Sequence, residues 1–177
     1  MPVDIVFETH SLTEDNEAGR ATGWLGGRLS ADGRRFAAEL GARQRPGVAA
    51  LFSSDLARAR ETVTIAFPEP DFPVLYDWRL RECDYGELNG RPAGAVHADR
   101  SAFLHTPYPG GESWEQAAAR VGWFLDDLRR RWDGTRVLVV GHVATRLGLE
   151  HRITGTPLAI VLNAEFGWQE GWEYRLG

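Results

Sequence analysis

The segment Arg136-Val137-Leu138-Val139-Val140-Gly141-His142 decides the fold. Its aliphatic residues run without an alternating polar position, the pattern of a strand buried on both faces. It ends at a histidine. Working outward, Val3 to Phe7 is a similar run leading into Glu8-Thr9-His10, and Val48 to Phe52 is another leading into Ser53-Ser54-Asp55. Val74 to Tyr76 reads as a further short strand.

Helical patterns separate these runs. Ser30 can cap a helix to about Arg43, with Phe36, Ala37 and Leu40 on its apolar face and Pro46-Gly47 ending it. A second helix spans Leu56 to about Ala66. Ser113, with Gln116 completing a capping box, opens a third to about Trp132, and a fourth starts near Ala144. Glu8 to Leu29, polar and glycine-rich, reads as a long functional loop, and Arg79 to Gly86 as an irregular polar stretch. Phe166 to Leu176 reads as a paired-strand ending. The alternation predicts an α/β fold with a mostly parallel central sheet and helices on both faces. Ligands of such sheets sit beyond the carboxyl ends of the strands, so Thr9-His10, Ser54-Asp55 and Gly141-His142 are expected on one rim.

Composition narrows the function. The 177 residues are 43% hydrophobic and 25% charged, as expected of one globular domain spanning 1–177. A net charge of -5 argues against a nucleic-acid partner, yet a few arginines can still build a local pocket for a small phosphorylated metabolite. One cysteine, Cys83, permits no intrachain disulfide and no Cys-rich zinc site. The N-terminus reads as a first strand rather than a signal peptide, and no apolar run reaches the roughly 20 residues that span a bilayer. A cytoplasmic protein without a membrane partner is expected, and the oligomeric state is not legible. No histidine pair has metal-ligand spacing, and no P-loop or dinucleotide fingerprint is present.

Around His10, Thr13, Asn16 and Gly23-Trp24-Leu25-Gly26-Gly27 supply the hydroxyl, amide and backbone donors that a phosphoryl group needs. The segment Thr9-His10-Ser11-Leu12-Thr13-Glu14-Asp15-Asn16 resembles the Arg-His-Gly-x-Thr-x-x-Asn signature of the histidine phosphatases and cofactor-dependent phosphoglycerate mutases. Further blocks resemble the same family in the same order: Gly23-Trp24 with Leu29 to Gly33, Ser53 to Thr62, Leu80-Arg81-Glu82 with Gly86 and Gly90, Gly110 to Ser113, and Val139 to His142. The resemblance covers the chain from Val3 to about Arg146.

The resemblance implies a metal-free, cofactor-free mechanism. His10 would attack phosphorus in line and become a phosphohistidine. Arg58 would hold the non-bridging oxygens, and His142 would donate to the same oxygens. Glu82 would protonate the leaving oxygen and then deprotonate water. Structural readings stand beside these: Arg58 as a solvated arginine, Glu82 as an ion-pair partner of Arg79 or Arg81, His142 as a satisfied core histidine. Ser113 is explained by capping alone.

The sequence departs from the pattern at Thr9, where the family carries a phosphate-binding arginine, and at Ser11, which replaces a glycine. Threonine brings no charge, and losing one preorganised donor costs on the order of 10²- to 10³-fold. Arg20, Arg28 and Arg146 are the candidate replacements, and at least one is expected to point into the His10 pocket. The leading expectation is a phosphatase acting on a small phosphomonoester. Alternatives are a phosphoglycerate mutase and a catalytically weak or silent phosphate-binding module, which Thr9 keeps open. Cys83 lacks a phosphate-cradling loop and reads as structural. Trp24 and Trp114 suit either a substrate mouth or the core, and substrate choice is assigned to the stretch from Pro92 to Pro109, with His97, Arg100 and His105.

Overall fold

The computed structural model of the chain describes residues 1–44 and 47–177. Strand β1 (Val3–Thr9) is followed by a single helical turn α1 (Glu14–Glu17), helix α2 (Ala31–Gln44), strand β2 (Ala50–Ser53) and helix α3 (Ala57–Ala66). Strand β3 (Val74–Tyr76), a short helix α4 (Ala93–His97) and the long helix α5 (Trp114–Arg131) come next. Strand β4 (Arg136–Gly141), helices α6 (Val143–Thr154) and α7 (Leu158–Asn163) and strand β5 (Trp172–Leu176) complete the chain.

The five strands form one sheet in the order β3-β2-β4-β1-β5. β4 is central and pairs in parallel with both β1 and β2. That explains why 137–140 is its most continuous apolar run: Val137, Leu138, Val139 and Val140 are all fully buried. Side chains alternate between two apolar layers. Ile5, Phe7, Phe52, Val137 and Val139 meet Val121, Phe124, Leu125, Leu128 and Leu149 of α5 and α6. Val6, Leu51, Leu138 and Val140 meet Leu40, Val63, Ala66 and Phe67 from the α2–α3 side. Each such aliphatic side chain contributes about 1.5–3 kcal/mol on burial.

Several expectations need correction. β5 pairs antiparallel with β1, and its alternation of buried Trp172, Tyr174 and Leu176 with exposed Glu173 and Arg175 is that of an edge strand. The paired ending predicted from Phe166 is therefore one strand from Trp172, because residues 166–171 make no ladder. Phe36, expected on the apolar face of α2, remains 39% exposed. α1, α4 and α7 were not expected; each is too short to impose a helical period. The Pro46 part of the predicted helix stop lies outside the described residues.

Strand register places the site. Thr9 pairs with Gly141 and Ser53 with Val140, so β1, β2 and β4 end level. The alignment continues past the strands: His10 N–H donates to Gly141 O (2.8 Å), and Ser54 N–H to Val140 O (2.9 Å). Beyond the rim, the excursion from 87 to 109 has a closed neck. Glu112 N–H donates to Asp84 O (3.0 Å), and Glu87 N–H donates to Pro109 O (2.9 Å). The chains cross so closely that a Cβ on Gly86, which has φ 55°, would lie 2.1 Å from Pro109 O, and one on Gly111 would lie 2.2 Å from Asp84 O.

Candidate active site

His10, half-buried at the end of β1, has both ring nitrogens committed. Nδ1 lies 2.7 Å from Ser11 O, an acceptor only, so Nδ1 carries the hydrogen. Nε2 is left with its lone pair, and Arg58 Nε–H donates to it at 3.3 Å. Burial first, and the Arg58 charge second, push the His10 pKa down to about 3 against the opposing Ser11 hydrogen bond. At neutral pH the imidazole is therefore uncharged, and its Nε2 lone pair, free of a proton, becomes available to an electrophile when the Arg58 contact is displaced.

Arg58 is 2% exposed on the first turn of α3. Its Nη2–H donates to Gly23 O (2.8 Å) and its Nη1–H to Leu25 O (3.3 Å), which turn the guanidinium toward His10. Burial lowers its pKa, while Glu82, Tyr85 and Asp15 act the other way, and arginine keeps its charge at neutral pH. Gly23, at φ 56°, can present that carbonyl only because it has no side chain; a Cβ would lie 1.8 Å from Asn89 Oδ1. Thr62 links the two elements, donating to Arg58 O (2.8 Å) and accepting from Ser11 N–H (3.0 Å).

His142, 1% exposed, packs against His10 with ring centroids 4.9 Å apart. Burial, then the Arg58 charge, hold its pKa well below the usual histidine range. Its Nε2 meets Ser54 Oγ at 2.8 Å, and the residue caps α6, with His142 N–H donating to Thr145 Oγ1 (2.9 Å).

Glu82, 8% exposed, pairs with neither Arg79 nor Arg81. Arg79 binds Asp77 and Asp127, and Arg81 makes a two-pronged pair with Asp55 at 2.7 and 2.6 Å. Glu82 Oε1 accepts from Cys83 N–H (2.9 Å) and Ala144 N–H (3.0 Å). The loop carrying it is held by Arg120 of α5, a residue the sequence reading missed. Arg120, 2% exposed, donates to the carbonyls of Arg79, Arg81 and Glu82 (each 2.8 Å) and forks onto Glu112 at 3.0 and 2.6 Å. Trp24 Nε1–H adds a 2.6 Å bond to Glu82 O, and Arg81 stacks 4.6 Å from the Trp24 ring. Arg120 falls in mid-helix, where only its tertiary neighbours distinguish it from a solvated arginine.

His10, Arg58 and Glu82 line one cavity of about 260 Å³ together with Asn16, Arg20, His97, Arg100 and Trp114. A second cavity of about 590 Å³ lies on the other side of His10, bounded by Thr9, Ser11, His142, Phe36, Leu40, Arg43, Phe166 and Trp168. His10, Asn16, Val143 and Phe166 border both.

Not every expected site residue reaches the pocket. Thr13 is fully buried as the N-cap of α1, accepting from Asn16 N–H (3.0 Å), and does not line either cavity. Arg28 is turned to solvent: its side chain is 74% exposed and paired with Glu14. Arg146 stacks on Phe166 and Trp172, at 5.6 and 5.3 Å, instead of lining the pocket. Of the three candidate replacements only Arg20 borders it, with Nη1–H on Gly90 O (3.1 Å). Thr9 faces the larger cavity. Cys83 is fully buried and its thiol pKa is raised mainly by that burial, so it is inert. Among the described residues no cluster of His, Cys, Asp and Glu could hold a metal ion, and no helix is long and apolar enough to cross a membrane.

Comparison with known proteins agrees with this geometry. Residues 5–167 match the model of the histidine phosphatase superfamily, branch 1. The chain is 30% identical over 163 residues to a probable phosphoglycerate mutase, GpmB, of Salmonella typhi, covering 83% of this chain and 76% of that protein. Among solved structures, YhfR of Bacillus stearothermophilus is similar at 26% identity, covering 95% of this chain and 88% of its own, with a TM-score of 0.82. A mycobacterial glucosyl-3-phosphoglycerate phosphatase is similar at 29% identity, covering 92% and 85%, with a TM-score of 0.75. With the level strand ends, the neutral His10 and the buried Arg58 beside it, these matches establish that the chain belongs to the histidine phosphatase superfamily.

Proposed function

We propose that this chain is a metal-independent phosphatase that hydrolyses a small phosphomonoester through a phosphohistidine at His10. The observation that carries the reading is an uncharged His10 Nε2 held 3.3 Å from the buried Arg58 guanidinium, with Glu82 in the same cavity. In the first step His10 Nε2 forms a bond to phosphorus as the ester P–O bond breaks. The Glu82 carboxyl proton goes to the leaving oxygen, while Arg58 and His142 bind the non-bridging oxygens. In the second step Glu82, now a carboxylate, takes a proton from water. The water oxygen bonds to phosphorus, the P–N bond breaks, and inorganic phosphate leaves. Arg20 and Arg100 at the mouth favour a leaving group that carries its own anion. A chain with one cysteine needs no oxidising compartment to fold, in keeping with a cytoplasmic location.

Thr9 supports a second reading, a weak or silent phosphate-binding module of the same fold, because among the described residues no guanidinium borders the larger cavity except that of Arg43, which is paired with Glu8. Phosphate release from a panel of phosphomonoesters, with wild type and His10→Ala side by side in chelator, separates the two. Turnover that falls at least about 10⁴-fold in the variant is expected. Phosphate bound by the wild type without turnover of any ester would select the silent module. Isomerisation of a phosphoglycerate outpacing phosphate release would select a mutase.

A further inference from the structure

We propose that Phe166 is a specificity-determining residue: its ring closes the wall between the two cavities beside His10 and confines the leaving group to a compact alcohol. The proposal rests on the phosphoryl-transfer reading above and adds a limit on substrate size. His10 Nε2 faces Arg58, and both Arg58 and Glu82 line the smaller cavity and not the larger one. An ester attacked in line from Nε2, with its leaving oxygen protonated by Glu82, therefore seats its alcohol in the smaller cavity. Pockets for drug-sized ligands span about 300–1,000 Å³. The smaller cavity, at about 260 Å³, falls below that range, and the phosphoryl group takes part of it. The neighbouring cavity, at about 590 Å³, falls within it.

Four residues border both cavities and so form the wall between them: His10, Asn16, Val143 and Phe166. The first three are fixed by regular structure or by bonds. His10 is bonded through both ring nitrogens, Asn16 closes the capping box of α1 with Oδ1 on Thr13 N–H (3.1 Å), and Val143 opens α6. Phe166 is different, a partly exposed ring on the ladder-free segment between α7 and β5. The Arg146 guanidinium lies over that ring at 5.6 Å, and the Trp172 ring is 6.1 Å away. Just upstream, Arg100 Nη2–H donates to Ala164 O (3.4 Å) and Ser101 Oγ–H to Asn163 Oδ1 (2.8 Å). These bonds tie the segment to the same excursion that supplies Arg100 to the smaller cavity. Cutting the ring back to a methyl group would join the two spaces beside His10. Leu12, Leu40 and Trp168 on the far side would then receive an aryl group that the wall now excludes.

Two phosphonates, whose C–P bond is not hydrolysed, read the wall without turnover. Propylphosphonate and 1-naphthylmethylphosphonate are titrated calorimetrically into the full chain. The wild type is expected to bind the propyl probe at least about 10-fold more tightly. Phe166→Ala should tighten the naphthylmethyl probe by about 10- to 100-fold and change the propyl probe by less than about 3-fold. The ratio of kcat/KM for 1-naphthyl phosphate to that for glycerol phosphate should move in the same direction. Phe166→Leu, which keeps part of the bulk, should fall between. Trp168→Ala enlarges only the larger cavity and should give the naphthylmethyl probe no such gain. Equal binding of the two probes by the wild type, or binding of neither, would overturn the proposal. So would a Phe166→Ala protein in which both probes change in parallel, or a Trp168→Ala protein with the same gain. If the probes obey the wall while no ester is turned over, the phosphatase reading fails and the role of Phe166 stands.

Discussion

The two sides of His10 are built differently. On the Arg58–Glu82 side the polar groups are densely bonded: Arg58 to carbonyls 23 and 25, Arg81 to Asp55, and the Glu82 backbone to Arg120 and Trp24. On the Thr9 side the wall is largely apolar, and two of its aromatic residues, Phe166 and Trp168, are 39% and 61% exposed on the ladder-free segment before β5. The bonded side suits charge that develops in a transition state, because its donors need no reorganisation when the reaction occurs. The other side offers more space, and its charged lining is mainly acidic, with Glu8, Glu39 and Glu170 beside Arg43.

That contrast can be broken from the bonded side, where the largest effect is expected. Arg120→Met removes one partner of a buried ion pair and three carbonyl bonds, and should lower stability by about 3–5 kcal/mol. In whatever folds, kcat should fall more than KM, since Glu82 loses its anchor. Arg120→Lys, which keeps the charge but not the fork, provides the folded comparison. Denaturant midpoints and initial rates measure both, and changes within 0.5 kcal/mol with unaltered kcat would remove Arg120 from the account.

The apolar flank can be tested by adding what it lacks. Thr9→Arg places a guanidinium beside His10 in a cavity of about 590 Å³ that has room for it. If the missing donor limits the reaction, kcat/KM should rise by about 10- to 100-fold, up to the lower end of the 10²- to 10³-fold that one oxyanion donor supplies. A rate no higher than wild type would mean that the bonded flank, with Arg20 at its mouth, already suffices.

The smallest effect lies at the seam. His10 is neutral in the folded chain down to about pH 3, whereas an unfolded histidine takes up its proton near 6.5. Below pH 6.5 the unfolded chain binds a proton that the folded chain refuses, so this contribution favours folding above 6.5 and is lost progressively as the pH falls toward 3. His10→Asn should therefore lose stability less steeply than wild type between pH 6 and 4.5, by up to about 1.4 kcal/mol per pH unit. Parallel slopes would show that His10 titrates normally.

Much of this architecture is legible in sequence because its signals are local. An apolar run ending in Gly141-His142 marks β4, and Ser113 with Gln116 forms the capping box on α5 that the spacing predicts. His10, Arg58, Glu82 and Asn16 come together in one cavity, as their motif blocks suggest. What escapes the sequence is pairwise and distant. Arg28, in a glycine-rich loop, differs from Arg20 only by finding Glu14 and not Gly90 as its partner. Thr13 looked like a ligand donor because a cap and a phosphate contact ask for the same hydroxyl. Arg120 gave no local cue, since its carbonyl partners lie 38 to 41 residues away.

The crossed neck at Gly86 and Gly111 bears on how such a protein can diversify. The chain leaves at Glu87 and returns at Pro109 through a backbone-bonded gate, and everything that holds Glu82 lies outside that gate. Between the two glycines the segment is tied back to the pocket loop, Gly90 N–H donating to Ala21 O (2.7 Å) and Ala93 N–H to Gly19 O (2.8 Å), so the crossed neck fixes where it leaves and returns. His97 and Arg100, which line the pocket, belong to this segment. A change of residues at this mouth would alter what the pocket admits while leaving the bonds on Arg58 and on the Glu82 backbone in place.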